Sequence, residues 1–268
     1  MVEAPEQILN SALSVENLTL RFGGLTAISD LSLTLHKGEL AGVIGPNGAG
    51  KTSLFNVLSG VYHPSEGSVR ALGRDIAALA PHQIAGLGLV RTFQNIRLFK
   101  QLSVLDNVRI AMHARSAPSA TSTLLGTPGA GHAEVRMREK AEHLLERLDL
   151  SQRRDTLAGS LPYGEQKRLE IARALATEAT VLLLDEPAAG MNANESAWLI
   201  GSIKRLRDEF QLSILLIEHD MAVVMSLCER LHVMDHGQKI AEGTPEEVRK
   251  NPRVIEAYLG TKRNLRSR

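Results

Sequence analysis

The chain has 268 residues, 43% of them hydrophobic, with a formal net charge of +1. That is apolar material for one large domain, or a core with a smaller inserted unit, and it excludes a disordered composition. With 3% aromatic residues there is neither a basic footprint nor a set of stacking rings, so no nucleic-acid partner is expected.

"LSVENLTLRF" (13–22) alternates apolar and polar residues, as a half-buried strand does. "ISDLSLTLHKGE" repeats the pattern, so the two read as an antiparallel pair. "LAGVIG" is a short apolar strand before a glycine-rich loop, and "KTSLFNVLSG" reads as a helix closed by Gly60. "GSVRALGRDI" is a further hairpin. From Pro81 to Leu150 the chain reads as helical segments, with "RSAPSATSTLLGTPGAG" between them as a flexible loop (115–133). A helix with charged periodicity precedes "VLLLDE", a buried parallel strand. Then follow a helix over "ANESAWLIGSIKRLRDEF", a second buried strand in "LSILLIEH", a helix in "DMAVVMSLCERL" and a closing hairpin. Alternating strands and helices with continuous apolar strands predict a mainly parallel α/β sheet interrupted by a helical insert.

"GPNGAGKT", Gly45, Pro46, Asn47, Gly48, Ala49, Gly50, Lys51 and Thr52, matches G-x-x-x-x-G-K-[ST] between a predicted strand and helix, followed by Ser53. Glycines let backbone N–H groups turn inward around phosphate oxygens at a helix N-terminus. Lys51 would reach the β- and γ-phosphates of ATP, and the Thr52 hydroxyl would ligate Mg²⁺. Asp185 and Glu186 end the apolar strand Val181–Leu184, where ligands of α/β sheets bind. Asp185 suits Mg²⁺, an oxygen-seeking ion, and Glu186 suits a general base for water. His219 ends the next apolar strand and could align the γ-phosphate and water. Gln94 stands where core gives way to insert and could contact Mg²⁺ or water. Phe22 could stack on adenine or serve as a strand-end core aromatic.

In this order the motifs resemble the ATP-binding subunit of an ABC transporter over about 13–260. The resemblance places Phe22 at the aromatic A-loop, Gly45–Thr52 at the Walker A, Gln94 at the Q-loop, "LPYGEQ" at the signature, "VLLLDE" at the Walker B, "PAAGMN" at the D-loop and His219 at the switch histidine. It implies a P-loop NTPase core with an N-terminal antiparallel β subdomain, divided as 13–92 and 164–260 around a helical insert at 93–163, with a basic tail at 261–268. "RTFQNIRLF", "RLEIARALA", "DEPAAGMN" and "GTPEEV…NPRVIEAYLG" are most similar to the branched-chain amino acid importer group. That group implies a second, usually different ATP-binding subunit, two permease subunits and an external binding protein. Lipopolysaccharide export ATPases share several of these motifs. A GTPase or small kinase is disfavoured because no N-K-x-D motif is present.

Family cassettes close head to tail, so the resemblance implies that Tyr163, Gly164 and Glu165 meet the nucleotide of the opposite subunit. Pro162 replaces the signature serine, Tyr163 its first glycine and Glu165 its glutamine. Pro162 thereby removes a hydroxyl and an N–H from the γ-phosphate contact. Asn192 stands for the usual D-loop aspartate. Cys228, the one cysteine, excludes an internal disulfide and fits a reducing compartment. No apolar run approaches the ~20 residues that span a bilayer, and the acidic start lacks the features of a secretion signal. The expected place is therefore the cytoplasmic face of a membrane, reached through partners.

Overall fold

The computed structural model describes the backbone of residues 10–94, 96–116 and 128–264, with side chains for all of these except 114–133 and 260–264. Two sheets carry the architecture. The first joins β1 (Ser11–Phe22), β2 (Leu25–His36), β4 (Glu66–Ala71) and β5 (Arg74–Asp75) in the antiparallel order β2-β1-β4-β5. Alternation puts Leu13, Val15, Leu18 and Leu20 of β1 inside. The pairing slips between Val15 and Leu18, where Asn17 adopts φ +48° and keeps Leu18 facing inward across the bulge.

The second sheet has the order β10-β9-β3-β8-β7-β6, from β3 (Leu40–Ile44), β6 (Leu89–Arg91), β7 (Val181–Asp185), β8 (Ser213–Ile217), β9 (Arg230–Asp235) and β10 (Gln238–Gly243). All pairs are parallel except β9 with β10. Every residue of β3, β7 and β8 is buried, as continuous apolar strands covered on both faces must be. Period-two alternation shares them between two cores. Val181 and Leu183 pack with Ile28 and Phe55 on one side. Leu182 and Leu184 pack with Leu145, Leu169 and Leu199 on the other.

The helices are α1 (Lys51–Leu58), α2 (Pro81–Leu87), α3 (Val104–Ser116), α4 (Pro128–Arg147), α5 (Tyr163–Ala176), α6 (Ala193–Phe210), α7 (Met221–Leu227), α8 (Pro245–Lys250) and α9 (Pro252–Asn264). Residues α3, α4 and α5 contribute, Val108, Leu145 and Leu169 among them, belong to one core cluster. Three features differ from the sequence expectation. β6 interrupts the stretch read as helical segments, because three residues carry no period of their own and are ordered by pairing with β7. Helix α4 is described from Pro128 on, so 128–133 of the expected flexible loop are helical. Residues 117–127 of that loop lie outside the described residues. Helix α9 runs to Asn264, half-way through the expected basic tail; residues 265–268 lie outside the described residues.

Cys228 caps α7 beneath β3, where a Cβ on Gly42 would come within 2.9 Å of its sulfur. Burial pushes its thiol up to about 12, with Glu218 and Glu229 adding to the shift. Reaction of the native chain with a disulfide reagent at neutral pH is therefore expected to be at least about 100-fold slower than in denaturant, since the thiolate is the reactive form. Equal rates would contradict this placement. No helix among the described residues is long and apolar enough to cross a membrane.

Candidate active site

The parallel register fixes the site. Val43 pairs with Ile217, and Ile217 with Asp185, so β3, β7 and β8 end at one edge. Gly45, Glu186 and His219 follow those ends.

The loop after β3 turns at Gly45, Gly48 and Gly50, with φ of +150°, +83° and +99°. A Cβ on Gly45 would run into the Met234 carbonyl, and one on Gly50 would lie 2.8 Å from the Ala27 carbonyl oxygen. Two glycines are thus required by the close approach of β9 and β2. Pro46 and Ala49 are buried, whereas Asn47, Gly48 and Thr52 are exposed. No side chain caps α1 at Gly50, so its first-turn N–H groups and dipole face the loop's concavity. Ser53 lies in that turn. Lys51 folds back over the loop, its Nζ donating to the carbonyls of Gly45 (2.7 Å) and Pro46 (3.0 Å). Burial lowers its pKa, and the carboxylate of Glu186 opposes the shift.

Asp185 closes β7, and its carboxylate accepts from Arg91 at 2.6 Å; the two side chains are 7% and 6% exposed. The same guanidinium donates to Asn56 Oδ1 (2.7 Å) on α1 and to Oγ of its C-cap Ser59 (3.3 Å), and lies over the rings of Phe55 and Phe93. Glu186 adopts φ +48°, held by its N–H on the Ile217 carbonyl and its own carbonyl accepting from Ala189 N–H. Gln94 Nε2 donates to Glu186 Oε2 at 2.7 Å, and His219 Nδ1 lies 3.8 Å from the same oxygen with its side chain 62% exposed. Lys51, Gln94, Asp185, Glu186 and His219 therefore form one constellation.

Glu218 is a member sequence reasoning missed. Fully buried, it accepts from the backbone N–H groups of Ala188 (2.9 Å) and His219 (3.1 Å), tying the two strand-end loops together. Burial raises its pKa, and these hydrogen bonds oppose the shift. Tyr258 of α9 is another. Burial raises its phenol, opposed by a hydrogen bond from the Gly45 backbone. Nothing in the residues near Tyr258 signals that reach.

Phe22 stands apart at the end of β1, 44% exposed and edge-on to Tyr62 at 5.0 Å between ring centres. Exposure favours the stacking alternative over a core aromatic. Tyr163, Gly164 and Glu165 make their contacts elsewhere too. Pro162 is the N-cap of α5 and offers no side-chain acceptor. The Tyr163 ring lies against Gly190, Gly164 leaves room for Glu195, and Glu165 pairs with Arg153 at 3.2 Å. Asn192 is itself an N-cap: its Oδ1 accepts from Asn194 and Glu195 N–H, and Glu195 returns a bond to Asn192 N–H. Its side chain is committed to α6.

Known proteins resemble this chain over most of its length. The family model described as ABC transporter matches residues 28–189, and that described as branched-chain amino acid ATP-binding cassette transporter matches 238–263. The chain is 45% identical over 248 residues, 92% of its length and 97% of the relative's, to the high-affinity branched-chain amino acid transport ATP-binding protein BraF of Pseudomonas aeruginosa. It is 44% identical over the same shares to LivG of Escherichia coli K12, which carries the same description. The lipopolysaccharide export system ATP-binding protein LptB of Haemophilus influenzae is 35% identical over 250 residues, 93% of this chain and 98% of LptB. Among solved structures, the ADP conformation of MJ1267, an ATP-binding cassette of an ABC transporter, superposes with a TM-score of 0.80 at 33% identity, covering 93% of this chain and 99% of that one.

Proposed function

We infer the function of this chain from the fact that it belongs to the ABC transporter family: it is the ATP-hydrolysing subunit of a membrane importer whose cargo is a branched-chain amino acid. The observation that carries the hydrolytic part is the convergence of Lys51, Gln94, Glu186 and His219 at one sheet edge. The cargo rests on the relatives' descriptions and on the C-terminal match over 238–263.

ATP lies with its phosphates in the loop Gly45–Thr52, where Lys51 exchanges two backbone carbonyls for β- and γ-phosphate oxygens. The amides of Asn47, Gly48, Gly50 and Ser53 add donors, the Ala49 N–H holds the turn on the Pro46 carbonyl, and Phe22 stacks on the adenine. Glu186 accepts a proton from the attacking water, and His219 keeps that water and the γ-phosphate in line. The oxygen donors Thr52 hydroxyl, Gln94 amide and Asp185 carboxylate suit Mg²⁺, because the hydrogen bond to Glu186 turns the Gln94 nitrogen that way and leaves its oxygen for a cation. Mg²⁺ bound with the nucleotide would neutralise charge on the phosphates. Asp185 would hold it through water, its carboxylate being held by Arg91.

The chain works in a complex with a second ATP-binding subunit, two permeases and, outside, a binding protein, at the cytoplasmic face of the membrane. Segments 13–92 and 164–260 form the nucleotide-binding core and 93–163 the insert that meets the permeases. The N-terminus of α5, with Tyr163, Gly164 and Glu165, presents backbone N–H groups to the partner subunit's nucleotide. Glu165 is neutralised there by Arg153. The test is reconstitution with the neighbouring permeases in vesicles: leucine, isoleucine or valine bound to the external protein should stimulate ATP hydrolysis. Stimulation by lipopolysaccharide instead would overturn the cargo and leave the ATPase standing.

Because Pro162 supplies no acceptor at the α5 N-cap, Pro162→Ser adds a hydroxyl where one charge-assisted hydrogen bond can form. The ATP-bound subunit pair should then persist about tenfold longer, read as the dissociation rate of the complex. An unchanged lifetime would make Pro162 a neutral substitution.

A further inference from the structure

Helix α5 places three charged side chains, Lys167, Glu170 and Arg173, at intervals of three residues along one face. Lys167 and Glu170 are 3% and 6% exposed. The reaction uses neither. Both grip the backbone at Gln94. Lys167 Nζ donates to the carbonyls of Phe93 (3.3 Å) and Gln94 (3.1 Å), while Glu170 Oε1 accepts from Phe93 N–H at 3.2 Å. Arg173 donates to the Arg97 carbonyl, and the Arg97 guanidinium closes over the Phe93 ring at 4.1 Å. The two buried charges lie 3.9 Å apart. Burial lowers Lys167 and raises Glu170, each opposed first by the other's charge.

An apolar pair would fill this space more cheaply than two buried charges. What an apolar pair cannot do is satisfy irregular backbone. Residues 92–94 are outside any strand or helix, so the carbonyls of Phe93 and Gln94 and the Phe93 amide need side-chain partners. Those partners come from the helix whose N-terminus is Tyr163, four residues or about 6 Å of helix from Lys167. At the far end of the gripped segment, Gln94 holds Glu186.

We propose that Lys167 and Glu170 are positioning residues that join α5 and Gln94 into one rigid unit, so that docking at the α5 N-terminus resets the Gln94–Glu186 hydrogen bond. The proposal rests on the reading of Glu186 as the base and of the α5 N-terminus as a docking point. It makes the signature helix a relay within its own subunit as well as a contact for the partner's nucleotide.

The test uses the full chain in its reconstituted transporter, with Lys167→Met, Lys167→Arg and Gln94→Ala. In Lys167→Met, amide hydrogen exchange at Phe93 and Arg97 should rise at least tenfold while that of β7 and β8 stays unchanged. The kcat for ATP should fall at least tenfold with KM within twofold, since the Gly45–Thr52 loop is untouched. Lys167→Arg should restore kcat to within threefold. Lys167→Met in a Gln94→Ala background should cost no further kcat, because both changes disable one unit. Exchange at Phe93 and Arg97 within twofold of wild type would overturn the proposal. So would equal loss in kcat and KM, absence of rescue by Arg, or multiplicative loss in the double variant. Glu186→Gln run in parallel separates the two readings: retained turnover there sinks the catalytic assignment, whereas the exchange data decide the grip on Gln94 independently.

Discussion

Glu186→Gln should lower ATP turnover of the assembled complex by at least about 10²-fold, the lower range of what a positioned general base supplies. ATP binding should survive within a few-fold. The distinction follows from geometry. Glu186 touches neither the loop Gly45–Thr52 nor Phe22; it meets Gln94 at 2.7 Å and faces His219 at 3.8 Å. Gln is isosteric, and its oxygen can still accept from Gln94, so the left-handed backbone at φ +48° and its bonds to Ile217 and Ala189 are undisturbed. Only basicity is lost. The electrostatic side effects fall on Lys51 and Lys167, whose pKa values Glu186 helps to hold up against burial. Removing that charge moves Lys51 further down from its ordinary value, which weakens phosphate binding only at high pH. The expected signature is therefore slow phosphate release with nucleotide retained. Turnover within threefold of wild type would remove Glu186 from the mechanism and leave the exposed His219 or a phosphate oxygen to take the proton.

The parts of this site legible in the sequence share one property: their chemistry coincides with a local pattern. "GPNGAGKT" joins a strand to a helix, and "VLLLDE" and "SILLIEH" each end an apolar run in a charged residue, so backbone period and site chemistry coincide. Where tertiary contact decides, the pattern misleads. Lys167 and Glu170 sit in a helix whose sequence shows only charged periodicity, yet both are buried against irregular backbone at Phe93 and Gln94. Arg91 ends a three-residue strand with no period, and Glu218 is overshadowed by the histidine beside it. Gly129 and Gly131 hide the start of α4, which packing of Met137 and Ala141 stabilises further along. Asn192 shows a pattern that was available: Asn followed three residues later by Glu195 before an apolar run is a capping box. Its replacement of the family aspartate is thus explained locally, by an N-cap as good as the aspartate it replaces.

Arg91→Met should destabilise the chain by about 3–5 kcal/mol, the usual cost of removing one partner from a buried ion pair. Arg91 and Asp185 are almost wholly withdrawn from water, so solvent screening does not discount the figure. Methionine fills part of the volume between Phe55 and Phe93 but leaves Asp185, Asn56 and Ser59 each short of a donor. The loss should therefore come mainly from the stranded carboxylate. A double-mutant cycle separates that from lost packing: Arg91→Met with Asp185→Leu should be less destabilised in urea than Arg91→Met alone, because no charge remains unpaired. If the double variant unfolds at lower denaturant than Arg91→Met, packing over the two rings dominates instead. The distinction bears on function. Arg91 joins α1, which begins with Lys51, to the end of β7 and to the root of the segment bearing Gln94. One guanidinium holds the Asp185 carboxylate at 2.6 Å, so the orientation of that carboxylate at the end of β7 is set by the fold itself.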